Sequence, residues 1–307
     1  IRCRKPTYVE FKWRRMIEKF LNYLQYEQNR SPLTVAAYAE DLRAFEQFFK
    51  NLDGQLSWQN VDTDVIRDWM ESMVDKGNSA TSVHRRLSAL RSFYRFALAH
   101  QLVERDPAHQ VECPKEKKAL PQFMREDEMD RLLDDIEWGT GYQGVLDRTI
   151  IMTFYQTGIR LSELIGLTDA AIDLPNRQLK VTGKGNKQRV VPFGDELAKC
   201  LQCYACERDR LEERCSDAFF VSHNGCKLTP QQVRKIVRMR LAAVSTAKKR
   251  SPHVLRHTFA TAMLNHGAGI ESVRRLLGHA SASTTEIYTH TTFEQLKRIY
   301  HEAHPRA

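Results

Sequence analysis

No stretch of this chain approaches the roughly 20 consecutive apolar residues that a bilayer-spanning helix needs, so no helical membrane span is expected. The N-terminus, IRCRKPTYVEFKWRR, lacks the apolar core of a secretory signal peptide, and the expected location is the cytoplasm. Seven cysteines are an odd number without the framework of a small disulfide-bonded domain, which predicts reduced thiols. Acidic residues are in deficit as well. Lys and Arg number 47 against 38 Asp and Glu, a formal net charge of +9, which points to a polyanionic partner: nucleic acid first, an acidic membrane surface second.

What is present is helical patterning over a length of 307 residues, more than one domain usually holds, so two domains are expected. Residues 1–15 are basic and irregular and read as an N-terminal extension. Residues 16–109 read as a bundle of four helices. The first starts at Met16 and places Ile17, Phe20, Leu21, Leu24 and Tyr26 on one face. Ser31-Pro32 reads as a break, with a second helix from Thr34 carrying Val35, Tyr38, Leu42, Phe45, Phe48 and Phe49. Thr63 is the expected cap of a third, whose buried side is Val65, Ile66, Trp69, Met70 and Met73 and whose stop is Gly77. The fourth, SATSVHRRLSALRSFYRFALAH, buries Val83, Leu87, Leu90, Phe93, Tyr94, Ala97 and Leu98. Beside that stripe lie Arg85, Arg86, Arg91 and Arg95, either an ordinary solvated face or a contact surface for a DNA backbone.

The stretch 110–122, with two prolines and a Lys-Glu-Lys-Lys cluster, reads as an exposed linker. From 123 to 307 runs the second domain, opening with a helix whose first turn is acidic at Glu126, Asp127 and Glu128. In VLDRTIIMTFYQTGIRLSELIGL, Ile150, Ile151, Phe154 and Tyr155 are expected to be buried. Thr157-Gly158 breaks that helix and puts Arg160 near the start of the next, with Glu163 on the same face and able to orient a nearby arginine or histidine. The period then changes to 2: residues 177–182 and 188–193 alternate like strands, joined by a Gly-Lys-Gly loop. Lys184 at its tip is either a solubilising turn residue or a lysine presented to a phosphate or leaving oxygen. The fold class is therefore mainly α with a small β-hairpin or sheet.

Cys200, Cys203 and Cys206 have ligand-like spacing, yet on a helix whose buried side is Leu197, Leu201, Tyr204 and Leu211 they step round by about 60° each. They do not converge, so neither zinc nor an iron–sulfur cluster is expected. Farther on, Arg234, Arg238 and Arg240 lie on a helix that can face DNA.

The unusual chemistry sits in Ser251 to His290. His253 and Arg256 are one helical turn apart, His257 follows, His279 comes after Leu-Leu-Gly, and Tyr288 lies in a short helix opened by a capping box from Ser283 to Glu286. Zinc is the rival reading of His253 and His257, with His279 and His290 in reserve. No glutamate follows His253 as in His-Glu-x-x-His, however, and an arginine on the same face repels a dication, so no metal is expected. A buried tyrosine accounts for Tyr288 alone but not for its neighbours. Taken together, Arg160, Lys184, His253, Arg256, His279 and Tyr288 suit cofactor-free attack on a phosphodiester. Two arginines can hold the non-bridging oxygens, a tyrosine in a cationic field can act as nucleophile, and a lysine or histidine can protonate the leaving oxygen.

GIRLSEL, the Gly-Lys-Gly hairpin, HVLRHTFAT, LLGH and the tyrosine of IYTH resemble the tyrosine recombinase (phage integrase) family, most closely its XerC/XerD branch. The resemblance spans both domains and implies an N-terminal core-binding domain followed by an α+β catalytic domain. It further implies that Tyr288 attacks a scissile phosphate to give a 3′-phosphotyrosyl link, that Arg160, Arg256 and His279 hold the phosphate, that Lys184 is the general acid, and that His253 assists proton transfer. The implied partner is double-stranded DNA at a specific site, bound by a homo- or hetero-tetramer that passes through a Holliday junction. A second recombinase and an accessory activator are further possible partners. The tail TTFEQLKRIYHEAHPRA, with Phe293, Leu296 and Ile299 or Tyr300 at helical spacing, either folds back on its own domain or, as the resemblance implies, docks on a neighbouring protomer. Absence of an extra arm-binding domain leans towards chromosome dimer resolution over integration or excision of a mobile element. A type IB topoisomerase-like enzyme and a non-cleaving DNA-binding regulator are the alternatives outside the recombinases.

Overall fold

The computed structural model describes residues 8–113, 122–139, 141–183, 186–245, 249–278 and 290–307. Two compact units divide the chain, Ile1–Ala119 and Leu120–Ala307.

In the N-terminal unit, α1 (Tyr8–Asn22), α2 (Pro32–Leu52), α3 (Thr63–Asp75) and α4 (Ala80–Ala99) surround an aromatic core. The first helix begins eight residues before Met16. Trp13 is buried in phase with Met16 and Phe20, so the apolar stripe runs into a segment whose basic residues masked it in the sequence. Ser31-Pro32 is a helix start rather than a break: the Ser31 hydroxyl accepts from Thr34 N–H at 3.2 Å, and Pro32 takes the first helical position, where its missing N–H is not needed. Asp62, not Thr63, caps α3, accepting from the N–H groups of Asp64 and Val65 at 3.1 and 3.0 Å. Phe45, Phe49, Trp58, Trp69 and Phe93 meet in the middle, with ring centroids 4.6 Å apart for Trp58 and Phe93 and 4.9 Å for Phe45 and Trp69. Leu98, expected on the buried side of α4, is exposed.

Three of the four arginines singled out on α4 hold this unit together. Arg85 forks onto both oxygens of the buried Asp41, and Arg86 Nε approaches the same carboxylate at 3.6 Å. Arg91 donates to the carbonyls of Ala108, at 3.2 Å, and Val111. Val111 is itself buried in the N-terminal core, so this unit keeps hold of the chain into the stretch read as linker. Arg95 is exposed.

The C-terminal unit is built around α6 (Tyr142–Thr157), which lies between α8 (Asp195–Arg208) and α10 (Pro252–Asn265). Ile150, Ile151, Phe154 and Tyr155 are all buried, as their spacing requires. Short helices α5 (Glu126–Asp130) and α7 (Leu161–Ile165) flank it. A three-stranded antiparallel sheet, β1 (Ile172–Asp173), β2 (Gln178–Thr182) and β3 (Gln188–Pro192), pairs Val181 with Arg189 and Thr182 with Gln188. The two-residue β1 is too short to leave an alternation in the sequence. On α8, Leu197, Leu201 and Tyr204 face the core with Cys200, while Cys203 and Cys206 are exposed. Helix α9 (Pro230–Ala242) starts at a capping box between Thr229 and Gln232. Arg240 there turns to protein rather than outward: its Nε donates to Asp147 at 2.8 Å and its guanidinium lies over the Trp138 ring.

A second apolar cluster joins α10, α11 (Ile270–Leu277) and α12 (His290–Ala303). Leu296, Tyr300 and Ala303 of α12 pack with Phe259, Met263 and Leu276, so in this single chain the tail folds back on its own unit. Two polar anchors follow. Arg306 reaches Asp130, Asp134 and Glu196, and its carbonyl accepts from Gln156 Nε2 at 2.8 Å. His304, 4% exposed, sits against Tyr155, Tyr300 and Phe259, and burial holds its pKa down at about 4.

A histidine whose folded pKa lies below its ordinary value binds protons more readily when unfolded. The tail's stability is therefore fully present above pH 6.5 and is lost as pH falls from there towards about 4. Lowering the pH from 7 to 4 should destabilise this unit by up to about 3 kcal/mol through His304 alone. Denaturant unfolding followed against pH checks it; a profile unchanged by His304→Gln would remove this histidine as the cause.

Candidate functional site

Arg160 is the residue immediately before α7, with extended backbone at φ −78° and ψ 156°. Glu163, one turn on, reaches back to it twice: Oε2 accepts from the Arg160 N–H at 2.7 Å and Oε1 from Nη1 at 2.8 Å. The helix start is thus already supplied with an anion by the chain itself, and the guanidinium is held rather than left free. Arg256 projects from α10 and is only 7% exposed. Its Nη1 donates to the carbonyl of Gly158, where α6 ends, and its Nη2 to that of Leu277, both at 2.6 Å.

A third arginine, which its sequence neighbours do not mark as a site residue, completes the arrangement. Arg189 on β3 is buried and forks onto Glu163, with Nη1 to Oε1 at 2.7 Å and Nη2 to Oε2 at 2.9 Å. Its remaining Nε donates to Leu276 O at 2.9 Å. Arg160 Nη2 donates in turn to Gly278 O at 3.2 Å. Three successive carbonyls at the end of α11, those of Leu276, Leu277 and Gly278, therefore each accept from a different guanidinium, at the negative end of the helix dipole. Gly278 closes the helix at φ 66°, and a Cβ there would lie 3.0 Å from Arg189 Nη1 and 3.1 Å from its Cζ. Both the left-handed backbone and the flat guanidinium beneath it select glycine.

The electrostatics follow from this packing. Burial alone would push the Glu163 carboxyl up, but the hydrogen bonds and charges of Arg189 and Arg160 outweigh it and hold the group at about 2. Arg256 is pushed down to about 10, first by burial and then by repulsion from Arg160 and Arg189, and it stays charged at neutral pH. Among the described residues of this cluster three guanidiniums face one carboxylate, an excess of two positive charges. Such a cluster favours an anion with several oxygens and disfavours a metal cation.

His253 lies on α10 one turn before Arg256 and is exposed. His257 is close enough to both for their charges to lower its pKa, after burial as the first cause. Arg234 and Arg238 are exposed one turn apart on α9. Lys184, His279 and Tyr288 lie outside the described residues. The structure thus brings Arg160 and Arg256 together and adds Glu163 and Arg189 around them. The available signal for Arg189 was an arginine in phase with Val191 on a strand whose inward positions are otherwise apolar.

Residues 122–295 match the family model described as phage integrase family, and residues 17–101 match the phage integrase N-terminal SAM-like domain. The chain belongs to the phage integrase family. This integrase-family chain is 38% identical to the tyrosine recombinase XerC of Chlorobaculum parvum, over all of this chain and 99% of that one. It is 36% identical to the tyrosine recombinase XerD of Oceanobacillus iheyensis, over 95% and 98% of the two chains. In fold the recombinase resembles XerH site-specific recombinase bound to a palindromic difH substrate, with TM-score 0.68, 23% identity and 92% and 83% coverage of the two chains. The Tn1549 transposon integrase in complex with circular intermediate DNA gives the same TM-score of 0.68 at 18% identity, covering 91% and 98%. These are enzymes that cleave and rejoin DNA, and cleavage through a phosphotyrosine is their general mechanism. The chain is a Xer-type, site-specific tyrosine recombinase.

Proposed function

We propose that this recombinase resolves chromosome dimers in the cytoplasm, cutting and rejoining double-stranded DNA at one specific site as part of a tetramer. The observation that carries the chemical part is the cluster of Arg160, Arg189 and Arg256, which among the described residues has only Glu163 to balance it. In this reading Arg160 and Arg256 hold two oxygens of the scissile phosphate, with His279 as a third contact. Tyr288 attacks phosphorus in line, the 5′ oxygen leaves with a proton from Lys184, and His253 assists proton transfer. The phosphotyrosyl bond conserves the energy of the broken phosphodiester, so a 5′-hydroxyl from the partner duplex reverses the reaction without an energy source. One exchange gives a Holliday junction and a second gives recombinants.

A duplex carrying a nick just beyond the cleavage site tests the reading, because the short fragment released diffuses away and traps the covalent intermediate. An adduct stable to denaturant on one sequence only supports a site-specific recombinase. Trapping on any sequence points to a topoisomerase-like activity, and binding without trapping to a regulator. Mapping the adduct on genomic DNA separates a chromosomal site from the end of a mobile element.

Exposed arginines on each unit supply the expected backbone contacts, Arg95 on α4 and Arg234 with Arg238 on α9. Replacing both Arg234 and Arg238 by alanine should weaken binding to all sequences alike and lower the slope of log affinity against log salt by about 2, at roughly 0.9 per phosphate contact. Titrations over a range of salt concentrations measure the slope; an unchanged slope would take α9 off the DNA backbone.

A further inference from the structure

Between α8 and α9 the chain forms a loop that the recombination chemistry does not use, and two thiols meet in it. Cys215 and Cys226, both exposed, carry their Sγ atoms 2.8 Å apart. Backbone contacts build the approach. Cys215 N–H donates to Gly225 O at 3.3 Å, Ser222 N–H donates to Cys226 O at 2.8 Å, and Val221 pairs antiparallel with Lys227. Gly225 has φ 69°, and a Cβ on it would fall 2.0 Å from Glu213 O, so only glycine lets the two arms cross this closely. Arg214 fixes the other arm: Nε donates to Ser216 O at 2.9 Å, Nη2 to Ala218 O at 3.0 Å, and Nη2 pairs with Asp169 at 2.8 Å. The meeting of the two sulfurs thus rests on the loop's own frame. By contrast, Cys203 and Cys206 are exposed on α8 among residues that do not pair them, and Cys200 is buried.

We infer that Cys215 and Cys226 are a thiol-oxidation site that closes to an intramolecular disulfide when the protein meets a low-molecular-weight disulfide such as glutathione disulfide. The inference is independent of the recombination chemistry. One cysteine thiolate attacks the external disulfide, forming a mixed disulfide and releasing one small thiolate. The second cysteine thiolate then attacks the protein sulfur of that mixed disulfide and displaces the other small thiolate. Two protein thiols are oxidised, one external disulfide is reduced to two thiols, and the two protein protons end on the released thiolates. The hydrogen bond with Cys215 pushes the Cys226 thiol's pKa up, which favours Cys226 as the second to act. Juxtaposition makes that second step intramolecular, so it outruns attack by any free thiol.

The sequence supplies a clean readout. No Lys or Arg lies between Arg214 and Lys227, so trypsin releases both cysteines in one peptide, CSDAFFVSHNGCK. Full-length protein, reduced and then incubated with glutathione disulfide, is treated with N-ethylmaleimide and digested. The expected peptide is lighter than its dithiol form by two hydrogens, takes up no maleimide, and regains two alkylatable thiols after dithiothreitol. Its glutathione adduct should stay at least about tenfold below that on Cys203 or Cys206. In Cys215→Ser the adduct on Cys226 should instead accumulate. Two maleimide or two glutathione groups on the wild-type peptide, or a link from either residue to Cys203 or Cys206, would overturn the inference.

Discussion

Tyr288→Phe should bind its DNA site with unchanged affinity and yet form no covalent adduct, a loss on the order of 10⁴-fold or more in the rate of trapping on a nicked duplex. The change removes one oxygen and keeps the ring, so any structural part played by the side chain is retained. In the proposed reading the phenol, with an ordinary pKa near 10, must shed its proton near neutrality, and the cationic arginine cluster would favour both that loss and the phosphate under attack. The other tyrosines of this unit are poorly suited. Tyr155, Tyr204 and Tyr300 are buried, Tyr142 is half-buried, and burial pushes the pKa of all four upward. Denaturing gels of the trapped complex provide the measurement. An adduct that survives in the variant would place the nucleophile elsewhere.

Arg189→Gln should lower both stability and chemistry while leaving DNA affinity nearly as it was. Removing this guanidinium leaves Leu276 O without its donor and Glu163 with Arg160 alone, and breaking a buried pair in this way destabilises by about 3–5 kcal/mol. Arg160 then shares its carboxylate partner with no second cation, and the end of α11 loses one of its three guanidinium donors. The expected fall in single-turnover adduct formation is on the order of 10²-fold, the scale set by one misplaced transition-state donor. Arg189→Lys keeps the charge but not the planar fork that spans both Glu163 oxygens and Leu276 O, so it should recover part of the stability and little of the rate. Denaturant unfolding, half-site titration and single-turnover trapping, measured together, decide the matter. A variant of normal stability reacting at the wild-type rate would show Arg189 to be dispensable.

How far the sequence carries depends on whether the information is local. Apolar stripes placed α2, α3, α4 and α6, and the change of period placed the hairpin, because each depends on neighbours a few residues away. Arg160 and Glu163 were readable for the same reason, being three residues apart at a helix start. Arg189 was not, since its partners Glu163 and Leu276 lie 26 and 87 residues away and nothing near it announces them. The start of α1 failed in another way: Trp13 continues the buried stripe, but surrounding positive charge made the segment look like a tail. Arg91 has backbone carbonyls as partners, which no composition reveals.

The run of carbonyls at the end of α11 has a consequence for the timing of entropy loss. A guanidinium has five N–H groups, and among the described residues Arg256 uses two of its own, on Gly158 and Leu277, with three more to offer another acceptor. Its rotamer, like that of Arg160, is therefore frozen when the protein folds rather than when a phosphate arrives. The donors need little reorganisation as charge builds on the non-bridging oxygens, so more of their interaction is available to the transition state.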